Sequence, residues 1–139
     1  MNADAVLDTN ILVYAASTAP AEASKAKVAE RLIEMGGIGI SGQILQEFFV
    51  TVTRKGAKPL TADEALDWVE AFEDLPCVPV DPPLVRLGAD IARRYRISYW
   101  DAAVLAAAQR LGASILYTED LNHDQTYGSV RVVNPFRAN

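Results

Sequence analysis

Three acidic residues stand alone in stretches that are otherwise free of charge. Asp8 is the only charged residue between Ala5 and Ala21, Glu47 the only one between Ser41 and Thr53, and Asp101 the only one between Ile97 and Gln109. An ionised carboxylate on a helix that is apolar nearly all round must be paired, hydrogen-bonded or protonated, because its burial in isolation costs several kcal/mol. A fourth acid comes from the run Ile115–Tyr117, which passes directly into Thr118, Glu119 and Asp120. Four converging carboxylates repel one another, and a hard cation that prefers oxygen ligands is the natural compensation. Magnesium or manganese suits such a donor set best. Each acid also has a structural explanation. Asp8 is placed to cap a turn after a strand, Ser98 and Asp101 have capping-box spacing, and Glu47 would serve on an exposed face or beside an arginine.

The composition removes several other chemistries. One histidine, His123, cannot supply a histidine-pair ribonuclease mechanism, and with one cysteine, Cys77, it cannot complete a zinc cage or an internal disulfide. The net charge of −5 runs against the basic face usual for nucleic-acid binding. That objection weakens if acids gathered in one pocket are neutralised by divalent cations, since formal charge then misstates the field that a phosphate meets. Basic residues cluster as Arg54, Lys55 and Lys58, and again as Arg93, Arg94 and Arg96. Either cluster reads as a solvated helix end, and the second is also a candidate for contacts to nucleic-acid phosphates. Trp100, Tyr99 and Phe48 have faces on which a base could stack, although core packing is the expected use of each.

Behind these residues, short β-branched runs alternate with longer helical patterns, the signature of a parallel sheet with crossover helices. Strands are expected at Ala5–Leu7, Ile38–Ile40, Cys77–Val80, Ser114–Tyr117 and Val130–Val133. Helices are expected at Ala21–Met35, Gln43–Arg54, Thr61–Leu75, Pro82–Tyr95 and Tyr99–Leu111, with a short helix or turn at Thr9–Ala16. Gly36-Gly37 and Gly112 are suited to helix ends, and Thr61 with Glu64 to a capping box. Asp8 and Asp120 thus stand just beyond strands, and Asp101 opens the helix that leads into the second of them. In an open parallel sheet ligands bind at the carboxyl ends of strands where strand order reverses, so neighbouring first and fourth strands would bring the acids together. No repeat or linker divides residues 1–139, so one domain is expected. Without an apolar run near 18 residues no membrane span is expected, and without a basic, hydrophobic leader the expected location is the cytoplasm.

The strings VLDTNILVYA, GQILQEFFVTVTRK, YWDAAVLAAAQRLGA and ILYTEDL resemble the four acidic motifs of PIN domains, in order and along nearly the whole chain. More narrowly, they resemble VapC-like toxins of bacterial toxin–antitoxin pairs. The resemblance implies a three-layer α/β fold whose parallel sheet has about five strands in the order 3-2-1-4-5. It implies a magnesium or manganese site built from Asp8, Glu47, Asp101 and Asp120, with Asn10 and Thr118 as supporting polar groups. It further implies hydrolysis of RNA, a homodimer, and an antitoxin whose C-terminal segment covers the site. In the fourth motif Glu119 and Asp124 are also close enough to contribute; Asp120 is preferred, and Asp124 stands where similar proteins carry a small residue.

Three other classes share parts of this pattern. A phosphoacceptor signalling domain needs a lysine after its last strand, where this chain has Asn134-Pro135. A metal-dependent phosphatase expects a second aspartate two residues after the first, where Asn10 stands. A catalytically silent binding module on the same fold has no need of all four acids.

Overall fold

The computed structural model describes residues 1–54, 56 and 58–137. Lys55, in the first basic cluster, lies outside the described residues. In chain order the elements are β1 (Ala5–Leu7), α1 (Thr9–Ala16), a single 3-10 turn (Pro20–Glu22), α2 (Ala23–Met35), β2 (Ile38–Ser41), α3 (Gly42–Arg54), α4 (Ala62–Phe72), β3 (Cys77–Val78), α5 (Pro82–Tyr95), α6 (Tyr99–Arg110), β4 (Ile115–Tyr117), β5 (Thr126–Tyr127) and β6 (Val130–Val133). They form one sheet in the order β3-β2-β1-β4-β6-β5, parallel throughout except that β5 runs antiparallel to β6. With β6 as the expected fifth strand, the order 3-2-1-4-5 holds. β5 is an unanticipated addition: Gly128-Ser129 closes a two-residue turn between Tyr127 and Val130, and Gly128 takes the positive φ of 62° that such a turn demands.

Boundaries moved where local chemistry intervened. The helix expected from Ala21 starts at Ala23, because Pro20 opens a separate 3-10 turn. Thr61 caps α4 from outside it, in a complete capping box with Glu64. That helix stops at Phe72 rather than Leu75, short of Pro76. β3 ends at Val78, and Val80 is exposed.

Strands β1 and β2 are buried along their entire length, as parallel strands covered on both faces must be. α6 packs on β1, β2, β4 and β6 and also against α5, which explains why seven consecutive residues, Ala102 to Ala108, are buried. Gly88 allows this close pairing, since a Cβ there would stand 3.2 Å from the Tyr99 ring. A second helical group joins α1 to α2 and α3, and α3 to α4, with Phe48 fully buried edge-on to Phe72. The consequence for the site lies at one end of the sheet. β1 and β4 are parallel neighbours in the register Leu7 to Tyr117, so the residues that follow them, Asp8 and Thr118, emerge side by side. β2 passes into α3 without a loop, Ser41 Oγ accepting the Ile44 N–H at 3.2 Å, which places Glu47 on the second turn of α3.

Candidate active site

Asp8 stands at the N-cap of α1, where its Oδ1 accepts the Thr9 N–H at 2.7 Å. Its other oxygen, Oδ2, accepts the Thr118 hydroxyl at 2.7 Å, and Thr118 Oγ1 accepts the Asp120 N–H at 3.1 Å. The capping role expected of Asp8 is thus filled by one of its oxygens, while the other is held by Thr118. Burial raises its pKa from 3.8 to about 6; the bonds from Thr118 and Thr9 oppose that shift, and the charges of Asp120 and Glu47 add to it. The Asp120 carboxyl is also raised, first by burial and then by the charges of Asp101 and Glu119.

Asp101 is half-buried in the first turn of α6, where its N–H donates to Ser98 Oγ at 3.1 Å. Only that half of the expected capping box forms, so the carboxylate remains without a hydrogen bond among the described residues. Glu47 is exposed, in keeping with its structural alternative, and its Oε1 accepts the amide of buried Gln43 one turn earlier. Repulsion nevertheless links Asp8 to Glu47, Asp8 to Asp120 and Asp120 to Asp101, so the four act as one electrostatic group. Asp101 also helps to raise the Tyr127 hydroxyl, after burial.

Ion pairing divides the acids of this region. Among the described residues none of Asp8, Glu47, Asp101 and Asp120 pairs with a cation, whereas Glu119 pairs with Lys25 at 3.0 Å and Asp124 with Arg131 at 3.4 Å, His123 Nε2 standing 3.3 Å from its other oxygen. Asp124 also has a φ of 68°, a conformation favoured by the small residue expected there. The unpaired set offers only oxygen donors and uncompensated negative charge, which fits a hard divalent cation in kind. It is an open arrangement: among the described residues no three His, Cys, Asp or Glu side chains stand close enough to enclose an ion. Thr9 Oγ1, beside Asp8, is buried and has no partner among the described residues.

The remaining expected residues are placed variously. Thr118 is buried and central to the group. Asn10, half-buried in the first turn of α1, borders a cleft of about 500 Å³ between α1 and the end of α3, which extends past Thr51 to Lys58. Arg93, Arg94 and Arg96 are exposed at the end of α5; Arg94 reaches Asp90 at 3.5 Å, and Arg96 takes the left-handed φ of 56° as the cap. They do not touch the acids. Core packing holds for Phe48; Tyr99 is half-buried with its ring beside Gly88 but outside the core, and Trp100 is 64% exposed next to Asp101. Helical phase explains the difference, since Trp100 lies about 100° around α6 from Tyr99. Sequence reasoning missed Gln43, Tyr14 and Lys25. Gln43 has a local signal, since it precedes Glu47 by one helical turn; Lys25 and Glu119 are 94 positions apart and have none.

The PIN domain family model matches residues 5–129. No curated protein matches the sequence. Similar folds occur in a toxin–antitoxin complex from Klebsiella pneumoniae, with TM-score 0.72 at 19% identity over 96% of this chain and 99% of that one. Mycobacterium tuberculosis VapC20, a sarcin-ricin-loop-cleaving toxin, gives TM-score 0.65 at 17% identity over 84% and 89% of the two chains. VapBC2 from Rickettsia felis, bound to a fragment of its promoter DNA, gives 0.62 at 18% identity over 92% and 96%.

Proposed function

Because the chain belongs to the PIN domain family, we propose that it is a single-domain, metal-dependent endoribonuclease, cytoplasmic in location, that acts as the toxin of a toxin–antitoxin pair. The observation that carries this reading is the group of four acids at the carboxyl end of β1 and β4. They are coupled by mutual repulsion, yet none of them has a cation partner among the described residues.

Asp8, Glu47, Asp101 and Asp120 would hold magnesium or manganese, which when bound lowers the pKa of a water and neutralises charge on the phosphoryl oxygens. Hydrolysis of a phosphodiester also needs an oriented water and a fixed phosphate. Asp120 and Glu47, the two most accessible acids of the group, are placed to accept a proton from that water. Thr118 fixes Asp8 and Asp120 relative to each other through its one hydroxyl. Asn10 adds a polar wall toward the cleft. Arg93, Arg94 and Arg96 provide phosphate contacts on the approach to α6, and exposed Trp100 provides a stacking face beside Asp101. A second copy and a cognate antitoxin are the proposed protein partners, and the toxin–antitoxin assemblies among the similar folds support the second of these. Among the described residues no helix is long and apolar enough to cross a membrane.

The test is cleavage of total RNA by the purified chain with Mn²⁺, with EDTA, and with EDTA followed by excess Mn²⁺, beside Asp8→Asn. Activity lost in EDTA, restored by metal and absent from Asp8→Asn is the expected result. Full activity in EDTA overturns the mechanism.

A further inference from the structure

Glu119 sits between Thr118 and Asp120 in sequence, yet its carboxylate is bound elsewhere. Tyr14, on α1, donates its hydroxyl proton to Glu119 Oε1. Lys25, on α2, donates to Glu119 Oε2 at 3.0 Å and to the Tyr14 hydroxyl oxygen at 3.2 Å. The same ammonium lies 4.8 Å from the Tyr14 ring centroid and 5.0 Å from that of Phe136, and the two rings meet edge-on at 5.2 Å. One cation therefore ties together α1, α2, the segment after β4 and the segment after β6. Both Glu119 oxygens are engaged, one of them by a charge, so Glu119 could join the acid group only by breaking this network. Its neighbours are bound to that group instead: Thr118 donates to Asp8, and the Asp120 N–H returns to Thr118.

We propose that Lys25 and Tyr14 are positioning residues for Asp120. By anchoring Glu119 away from the acid group, they fix the backbone of 118–120 so that Asp120 is the acid this segment presents to the metal. This rests on the metal-site reading given above. It also has a distinctive sign. A lysine that acted only through its charge would oppose cation binding, so its removal would tighten the site. A lysine that holds the loop in place has the opposite effect.

The experiment measures the Mn²⁺ concentration that gives half-maximal thermal stabilisation, together with the metal-free melting temperature, for Lys25→Met, Lys25→Arg, Tyr14→Phe, Glu119→Gln and Asp120→Asn. Tyr14→Phe keeps the ring and the net charge, so its fold is secure. Lys25→Met and Tyr14→Phe are expected to raise the midpoint about three- to tenfold, below the loss typical when a group bonded directly to a ligand is removed. Cleavage should return at saturating Mn²⁺, and Lys25→Arg should remain near wild type. Unchanged or tighter midpoints in both Lys25→Met and Tyr14→Phe overturn the proposal, whatever happens to the metal-free melting temperature. Complete loss of Mn²⁺ stabilisation in Glu119→Gln also overturns it, because Glu119 would then be a ligand itself. Wild-type stabilisation of Asp120→Asn removes the underlying metal-site reading, and the proposal with it.

Discussion

Neutralising Asp8 should strengthen the metal-free fold while ending catalysis. Asp8 is 9% exposed, and its pKa is raised from 3.8 to about 6, chiefly by burial. At 1.36 kcal/mol per unit, keeping it ionised at pH 7 costs the folded state about 3 kcal/mol. Asp8→Asn removes that cost and leaves an amide oxygen to accept the Thr9 N–H. The Thr118 hydroxyl, which now donates to Oδ2, must turn to accept from the amide, a loss of about 1 kcal/mol. The net gain is about 1–2 kcal/mol at pH 7, or about 4–8 °C in Tm for a domain of this size. Its pH dependence follows from the sign of the shift. The folded pKa lies above the unfolded value, so the folded state binds the proton more tightly; the penalty is absent below about 3.8 and fully present above about 6. Wild-type stability in EDTA should therefore fall relative to Asp8→Asn between pH 4 and pH 7, and the advantage of the variant should vanish toward pH 4. Added Mn²⁺, which requires the carboxylate, should stabilise the wild type more at pH 7 than at pH 5 and the variant at neither. Urea melts in EDTA at four pH values, repeated with Mn²⁺, make the comparison. A variant that is less stable than wild type by a pH-independent margin would show Asp8 to be a net stabilising cap and refute the reasoning.

Asp101→Asn should likewise abolish RNA cleavage, measured on a fluorescent oligonucleotide, while its metal-free melting temperature stays level or rises. Charge reversal of Arg93, Arg94 and Arg96 should weaken RNA binding and flatten its salt dependence, because each lost phosphate contact removes released counterions; binding unchanged from low to high salt returns these residues to the solvated surface. Trp100→Ala should alter stability by less than about 0.5 kcal/mol yet weaken single-stranded RNA binding by about tenfold in a filter assay; unchanged affinity ends the stacking role. Gly39→Ala should destabilise the fold by about 1–3 kcal/mol in a urea melt through overpacking. A Cβ there would meet Leu111 Cδ1 at 2.7 Å and Ala3 Cβ at 2.9 Å.

The elements carrying the acids were legible because each has a local signature. β1 and β4 are short apolar runs, α6 has alanine at five of its twelve positions, and Thr61, Gly36 and Gly112 mark helix ends by capping chemistry. Asp8, Glu47 and Asp101 stood out for a related reason, as lone charges in apolar stretches. Pairing was not legible. Asp8 and Thr118 are 110 positions apart, and the Tyr14–Lys25–Glu119 network joins two helices and a loop, so neither leaves a pattern within any one helix or strand. The preference for Asp120 over Glu119 and Asp124 likewise had no pairing pattern behind it; in the structure Glu119 pairs with Lys25 and Asp124 with Arg131, and Asp120 with no cation among the described residues. β5 was missed because two residues, one of them exposed, are too few to show alternation.

The same partition of charge bears on how an acidic chain could act on RNA. The net charge is −5, and four of its negative side chains belong to one group without cation partners among the described residues. Elsewhere, acids near that group are already spent on protein cations, Glu119 on Lys25 and Asp124 on Arg131. An ion bound among the four would thus cancel the part of the field that most opposes a phosphate, and Arg93, Arg94 and Arg96 would dominate what remains on the approach to α6. On this view affinity for RNA is itself metal-dependent. Apo protein should repel the substrate as well as fail to cleave it, so the RNA affinity of wild type should rise on adding Mn²⁺ while that of Asp8→Asn should respond less. Equal RNA affinity of the wild type with and without Mn²⁺ would confine the ion to the chemical step.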